Sequence, residues 1–301
     1  MRRSLKTIGI TALSALITSG CTMLGPDFQE PTAPVESDWL ETDDPLVNSE
    51  SPTDPKWWQT AFQDPLLDEL VEVALQENLT LRSAALRVLQ SQQQLAIAIG
   101  NQSPQQQQAT GLAAREKSND VIFNDYSLGF NLTWEVDFWG RYRRQVESAS
   151  AALDASVAEY DGAMVSLLAQ VAQNYILIRT FQARIAVARA NIESQQESLR
   201  VSRAKFEAGE VSELDADQAE SLLNNTIASV PALETSLQQV KNSLAILLGK
   251  PPHDMNYLLG EKGAIPATPA TVAVGMPQNL IRQRPDIRAA ERQLAAQSAQ
   301  I

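Results

Sequence analysis

The chain has 301 residues, a formal net charge of −12, one Cys and one His. A lone Cys excludes an internal disulfide framework, one Cys with one His cannot make a structural zinc site, and the acidic balance excludes nucleic-acid binding by phosphate neutralisation. Aromatics are only 6% beside 44% hydrophobic residues, so small side chains, Ala above all, must do the packing, as in closely apposed helices.

Residues 1–20 hold Arg2, Arg3 and Lys6, an apolar run from Ile8 to Ile17, and then Thr18-Ser19-Gly20. This is the pattern of a secretory signal and is too short to persist as a membrane span. Its removal would take away three positive charges and no negative ones. Cys21 follows directly and resembles the processing box of a bacterial lipoprotein, with Thr18 standing where that box usually has Leu. Cys21 is then the lipidated first residue, and Thr22 in place of an Asp favours export to the outer membrane. A multi-chain acyl anchor is stable where a single chain is marginal. Residues 21–56 are Pro-rich and acidic, with Lys56 the only base. Such a stretch cannot bury a core alone and is expected to be an extended linker.

Asp64-Pro65 has the residues of a helix start, and apolar positions at helical spacing predict a helix over 65–100. From Ser127 to Phe138 the residues alternate. Leu128, Phe130, Leu132, Trp134, Val136 and Phe138 form an apolar row, and Asn131, Thr133, Glu135 and Asp137 lie on the other. This predicts a strand between two media. It is either the half-buried strand of a soluble sheet or a membrane-barrel strand, whose flanking aromatics Trp134, Phe138 and Trp139 fit. In the second case the first row faces lipid and the other row a lumen. Residues 105–114 are its expected partner across a polar loop at 115–125. Residues 141–208 contain no Pro and one Gly, which predicts a helix of about 100 Å at 1.5 Å per residue. Gly209 ends it. Ser212 and Asp215 have capping-box spacing at the start of a helix over 213–248, in which Pro231 should introduce a bend. Residues 249–278 are expected to be irregular.

Two helices of 36 residues, at 65–100 and 213–248, match the long one when stacked end to end. Leu81-Arg82-Ser83-Ala84 recurs as Ile287-Arg288-Ala289-Ala290. Residues 57–248 therefore read as a first repeat, and 279–301 as the start of a truncated second one.

Several blocks resemble the TolC-like outer-membrane efflux proteins, in particular the OprM- and NodT-type lipoprotein subgroup. They are Trp57-Trp58 with Phe62, Asp64-Pro65 and Leu67; Asn78-Leu79; Val136 to Arg141 with Arg143-Arg144; Gly209 to Asp215; and Arg284 to Glu291. The resemblance implies a mainly α fold with transmembrane β-structure. Long antiparallel helices would form a periplasmic α-barrel, and strands would join a trimeric twelve-stranded outer-membrane barrel. It implies a homotrimer working with a periplasmic adaptor and an inner-membrane pump, a passive conduit for drugs or other small solutes. It also places Arg203, Gly209, Val211, Ser212, Leu214 and Asp215 at the periplasmic tip that meets the adaptor. For Gly209, Ser212 and Asp215, helix capping alone is an equal explanation.

No nucleophile, base and orienting group can be assembled, so no catalytic residue, metal ligand or cofactor is expected. Glu135 and Asp137 could suggest a carboxylate pair for glycoside hydrolysis, but lumen-facing acids are the better reading. Under a conduit, these acids should favour cations. The competing function is a periplasmic adaptor or envelope-spanning coiled-coil lipoprotein. That reading accounts for the signal and the helical hairpin but not for the alternating strand.

Overall fold

The computed structural model describes residues 23–32, 35, 44, 47–48, 56–119, 121–259, 263–267, 272–273 and 281–301. The signal segment and Cys21 lie outside the described residues. In chain order the elements are β1 (Val47–Asn48), α1 (Trp57–Phe62), α2 (Pro65–Glu77), α3 (Leu79–Gly100), β2 (Gln106–Ser118), β3 (Val121–Thr133), α4 (Arg141–Glu207), α5 (Glu213–Leu247), α6 (Met255–Leu259), β4 (Val272–Ala273) and α7 (Pro285–Ser298). Two units divide the chain, one of residues 1–35, 84–161 and 281–301 and the other of residues 36–83 and 162–280. Helices α3 and α4 each contribute to both.

The second unit has a core of large side chains. Helix α2 starts where Asp64 accepts hydrogen bonds from the Leu66 and Leu67 N–H groups at 3.0 and 3.2 Å, with Pro65 in the first turn. It buries Leu67, Leu70, Val71 and Ala74, and Val171, Tyr175 and Ile178 of α4 are equally buried. Tyr175 donates to Asp64 at 2.7 Å, and Arg179 reaches the Tyr175 hydroxyl at 3.3 Å and the Leu259 carbonyl at 3.3 Å. Burial first, then the hydrogen bond to Asp64, raises the Tyr175 phenol above its ordinary value.

The helix expected over 65–100 is broken at one residue. Asn78 takes an extended backbone (φ −66°, ψ 121°). Its buried side chain accepts from the Leu81 N–H at 2.8 Å and donates to the Leu247 carbonyl at 2.8 Å. It thus caps α3 while satisfying a carbonyl at the end of α5. The two segments come so close that a Cβ on Gly249 (φ 61°) would lie 2.6 Å from the Glu77 carbonyl oxygen. The end of α5 therefore meets the Asn78 break rather than either end of a single 36-residue helix. Pro231 lies inside α5 without ending it. The segment after α5 is not wholly irregular, since it holds a 3₁₀ turn at Pro252–Asp254, α6, and β4 paired in parallel with β1.

The first unit is packed differently. Ala151, Ala295 and Ala296 form its core cluster, with Phe28 and Ala152 against it. Ser148 donates to the Ala296 carbonyl at 2.8 Å, and Arg288 pairs with Asp161 at 3.1 Å. Arg284, before α7, has φ −60° and ψ 125°, the geometry of Asn78 before α3. The sequence similarity between 81–84 and 287–290 thus follows a matching turn into a helix in each place.

Candidate functional site

Two exposed features carry the functional reading, the β2–β3 hairpin of the first unit and the α4–α5 tip of the second. The hairpin strands pair antiparallel from Gln106↔Thr133 to Ser118↔Val121. Both are longer than expected, because residues 115–118 and 121–125 are strand rather than loop. Asn119, at φ 47°, makes the tight turn possible. Asn-Asp between two alternating runs was the available signal for it.

Opposed residues share a face, so the register assigns both faces. Ala109, Gly111 and Ala113 lie with Phe130, Leu128 and Tyr126; Gln108 and Thr110 lie with Asn131 and Gly129. Leu128 is 91% exposed and Phe130 67%, so the described residues do not cover this apolar face. At the turn end the charges separate, with Arg115 and Lys117 on the face of Leu128 and Glu116 and Asp125 on the face of Asn131 and Thr133.

Trp134, Glu135, Val136, Asp137 and Phe138 do not belong to the strand, which ends at Thr133. Pro104 and the turn before it give these residues no ladder to join. Instead the Gln105 side chain bonds the Glu135 backbone, accepting from its N–H at 2.8 Å and donating to its carbonyl at 3.3 Å. The two acids are partnered within the chain. Glu135 accepts from the Tyr142 hydroxyl at 2.8 Å and pairs with Arg141 at 3.4 Å. The Glu135 hydrogen bond is the main reason the Tyr142 phenol is raised. Asp137 accepts the Arg143 N–H at 3.0 Å. Desolvation pushes its carboxyl up, but backbone donors from Arg143 and Tyr142 and the Arg143 charge together hold it below its ordinary value. Asp137 thus serves the N-terminus of α4, where free N–H groups favour a carboxylate. Trp134, Phe138 and Trp139 remain exposed just beyond the strand end.

At the tip, α4 closes in a Schellman turn. The Gly209 N–H bonds the Phe206 carbonyl and the Glu210 N–H bonds the Lys205 carbonyl, both at 2.9 Å, with Gly209 at φ 74°. Asp215 accepts from the Ser212 N–H at 3.0 Å and the Ser212 hydroxyl at 2.7 Å. These two bonds hold its carboxyl below the ordinary value. Arg203 bridges α4 to α5 through Glu220 at 2.9 Å, a structural role not read from the sequence. Leu214 is 62% exposed, and Val211 is half-buried. Among the described residues no group of His, Cys, Asp and Glu is gathered to hold a metal, and no helix is long and apolar enough to cross a membrane.

The family model described as outer membrane efflux protein matches residues 70–250. Nodulation protein T of Rhizobium leguminosarum bv. trifolii is 33% identical over 97% of this chain and 62% of its own length. The toluene efflux pump outer membrane protein TtgF of Pseudomonas putida is 28% identical over 99% of this chain and 64% of its own. Among solved structures, the outer-membrane channel OprN superposes with a TM-score of 0.81 at 32% identity, over 92% of this chain and 62% of that one. The chain therefore spans a little over three-fifths of the length of these relatives.

Proposed function

As the chain belongs to the outer membrane efflux protein family, with the outer membrane as its location, we propose that it forms part of the channel subunit of a tripartite efflux system. Three copies contribute strands to one membrane barrel and long helices to one periplasmic tunnel. The conduit is passive and carries no catalytic residue. Drugs or other small solutes pass through it, driven by an inner-membrane pump reached through a periplasmic adaptor at the α4–α5 tip. Cys21 carries the lipid. An adaptor would explain the helical hairpin but is disfavoured by the family match and by β2–β3.

The observation that carries this reading is the half of the hairpin away from its turn, where exposed Leu128, Phe130 and Leu132 lie on one face and Asn131 and Thr133 on the other. Toward the turn the faces are mixed, with Leu112, Val121 and Phe123 on the second and Arg115 and Lys117 on the first. Backbone groups in lipid must be hydrogen-bonded, so a two-stranded hairpin can enter a bilayer only when its edges are closed by other strands. Leu128, Phe130 and Leu132 then face lipid, while Asn131 and Thr133 face the lumen. Arg203, Gly209, Val211, Ser212, Leu214 and Asp215 stand at the adaptor end. Glu135 and Asp137 are left out of the lumen lining because both serve the start of α4.

Cysteine scanning in cells tests the reading. Cys at position 128 or 130 should resist a water-soluble thiol reagent in outer-membrane fractions, and Cys at 131 should react with it. Equal reactivity at all three positions would refute the membrane hairpin. Crosslinked trimers, and a loss of adaptor crosslinking on Leu214→Glu without loss of trimer, test the assembly. Adaptor crosslinking that persists unchanged would remove the tip assignment.

A further inference from the structure

We infer that Arg144 is a positioning residue that moors the chain behind the lipid-modified N-terminus to the membrane-proximal end of the hairpin. The inference rests on the outer-membrane lipoprotein reading above, but its geometry lies wholly within described residues of the first unit.

Residues 23–28 do not hang free. The Leu24 N–H donates to the Trp139 carbonyl at 3.1 Å. The Arg144 guanidinium then takes the next carbonyls. Nε donates to the Leu24 oxygen at 3.1 Å, and Nη2 donates to the Gly25 oxygen at 2.8 Å and to Asp27 Oδ1 at 3.0 Å. Its remaining arm meets Glu147 at 2.7 Å. The Arg144 side chain is 10% exposed, whereas its partner Asp27 is 86% exposed. A group this buried is held by the oxygens around it, and the fork of five donors can serve several acceptors at once as an ammonium cannot.

Two glycines make the approach possible. Gly25 has φ 94°, a backbone that L side chains rarely adopt, and its carbonyl is one of the oxygens Arg144 holds. At Gly140 (φ 81°) a Cβ would lie 2.5 Å from Met23 Cγ and 2.9 Å from Met23 Cα. Met23 therefore sits directly over the backbone that joins the hairpin to α4. Farther along, Phe28 packs on the alanine cluster of Ala151, Ala295 and Ala296 and lies under Arg292, 5.8 Å from ring centre to guanidinium carbon.

The place of the mooring gives it its meaning. Trp134, Phe138 and Trp139 are 52%, 62% and 70% exposed immediately after β3 ends, and aromatic girdles mark the edges of the apolar band on membrane barrels. Cys21 precedes Met23 by two residues, and two residues of chain span at most about 7 Å. An acyl group on Cys21 is thereby delivered beside this aromatic collar.

Hydrogen exchange on the full chain in lipid vesicles tests this. The Leu24 amide should be protected in the wild type and exchange at least about tenfold faster in Arg144→Ala, as expected when a charge-assisted set of hydrogen bonds is lost. Arg144→Lys should also exchange faster, while amides of α4 between 165 and 180 stay protected and report that the chain is folded. Unchanged Leu24 exchange in Arg144→Ala would overturn the proposal. Protection should persist in Cys21→Ser; its loss there would mean that the membrane, not Arg144, holds the segment. Palmitate labelling of the wild type separates the two readings. Absence of label with Leu24 still protected would sink delivery of a lipid and the lipoprotein reading, but not the clamp.

Discussion

The β2–β3 hairpin and the junction around Asn78 are opposites in how they satisfy their chemistry. At Asn78 both ends of one amide find partners inside the chain, at the Leu81 N–H and the Leu247 carbonyl, and Leu67, Leu70 and Leu248 nearby in sequence are at most 1% exposed. On the hairpin Leu128, Phe130 and Leu132 are all more than half exposed. No described residue covers them, and under the proposed function their apolar side chains meet lipid. The second unit satisfies its apolar and polar groups internally, whereas the hairpin leaves its apolar side chains exposed.

This contrast can be broken by substitution. The largest loss in the folded chain should come from Leu70→Ala, about 2–5 kcal/mol by the usual cost of emptying a core site, read by denaturant unfolding. Leu128→Ala should cost under about 0.5 kcal/mol in the same assay. Comparable losses would mean that the hairpin face is covered. In bilayers the order reverses on the hairpin. Phe130→Lys should disfavour insertion by about 2–4 kcal/mol near the membrane midplane, and Asn131→Lys should be close to neutral, as measured by the folded fraction recovered from outer membranes. Equal recovery would mean the faces are wrongly assigned.

Smaller effects sharpen the contrast. Asn78→Ala removes a cap and leaves the Leu81 N–H without its acceptor, an expected loss of about 1–3 kcal/mol. Asn78→Asp keeps the acceptor for the Leu81 N–H but sets a buried carboxylate oxygen against the Leu247 carbonyl, and should lose at least as much in thermal unfolding. The smallest effect lies at the tip. Asp215 has its carboxyl lowered in the folded chain, first by the Ser212 hydroxyl and then by the Ser212 N–H. Its contribution is therefore present above the ordinary aspartate value of 3.8 and is lost as pH falls through the lowered one. The protection of amides 212–215, taken relative to their intrinsic exchange rates at each pH, should fall across that acid window in the wild type, and Asp215→Asn should remove the pH dependence of that protection. Wild-type protection that stays constant across that window would remove the cap.

Local chemistry in the sequence determined a good deal. The Pro-free run fixed a helix of 67 residues at Arg141–Glu207, because nothing within it interrupts the backbone ladder. Gly209 and Asp215 marked a stop and a start, because capping uses residues a few positions apart. Alternation located a strand, because side chains on a pleated backbone change face at every step. Only the tertiary structure decided where these patterns end. The break at Asn78 depends on a carbonyl 169 residues away, and β3 stops at Thr133 because its neighbour strand begins at Gln106. Glu135 and Asp137 continue the alternation yet serve the start of α4, since Tyr142 and Arg143 lie within reach of their oxygens. Arg144 occurs in a recognisable run, but its grip on Leu24, Gly25 and Asp27 joins residues about 120 positions apart. Short-range periodicity does not specify contacts at that separation; they depend on which carbonyls the fold leaves within reach of a buried charge.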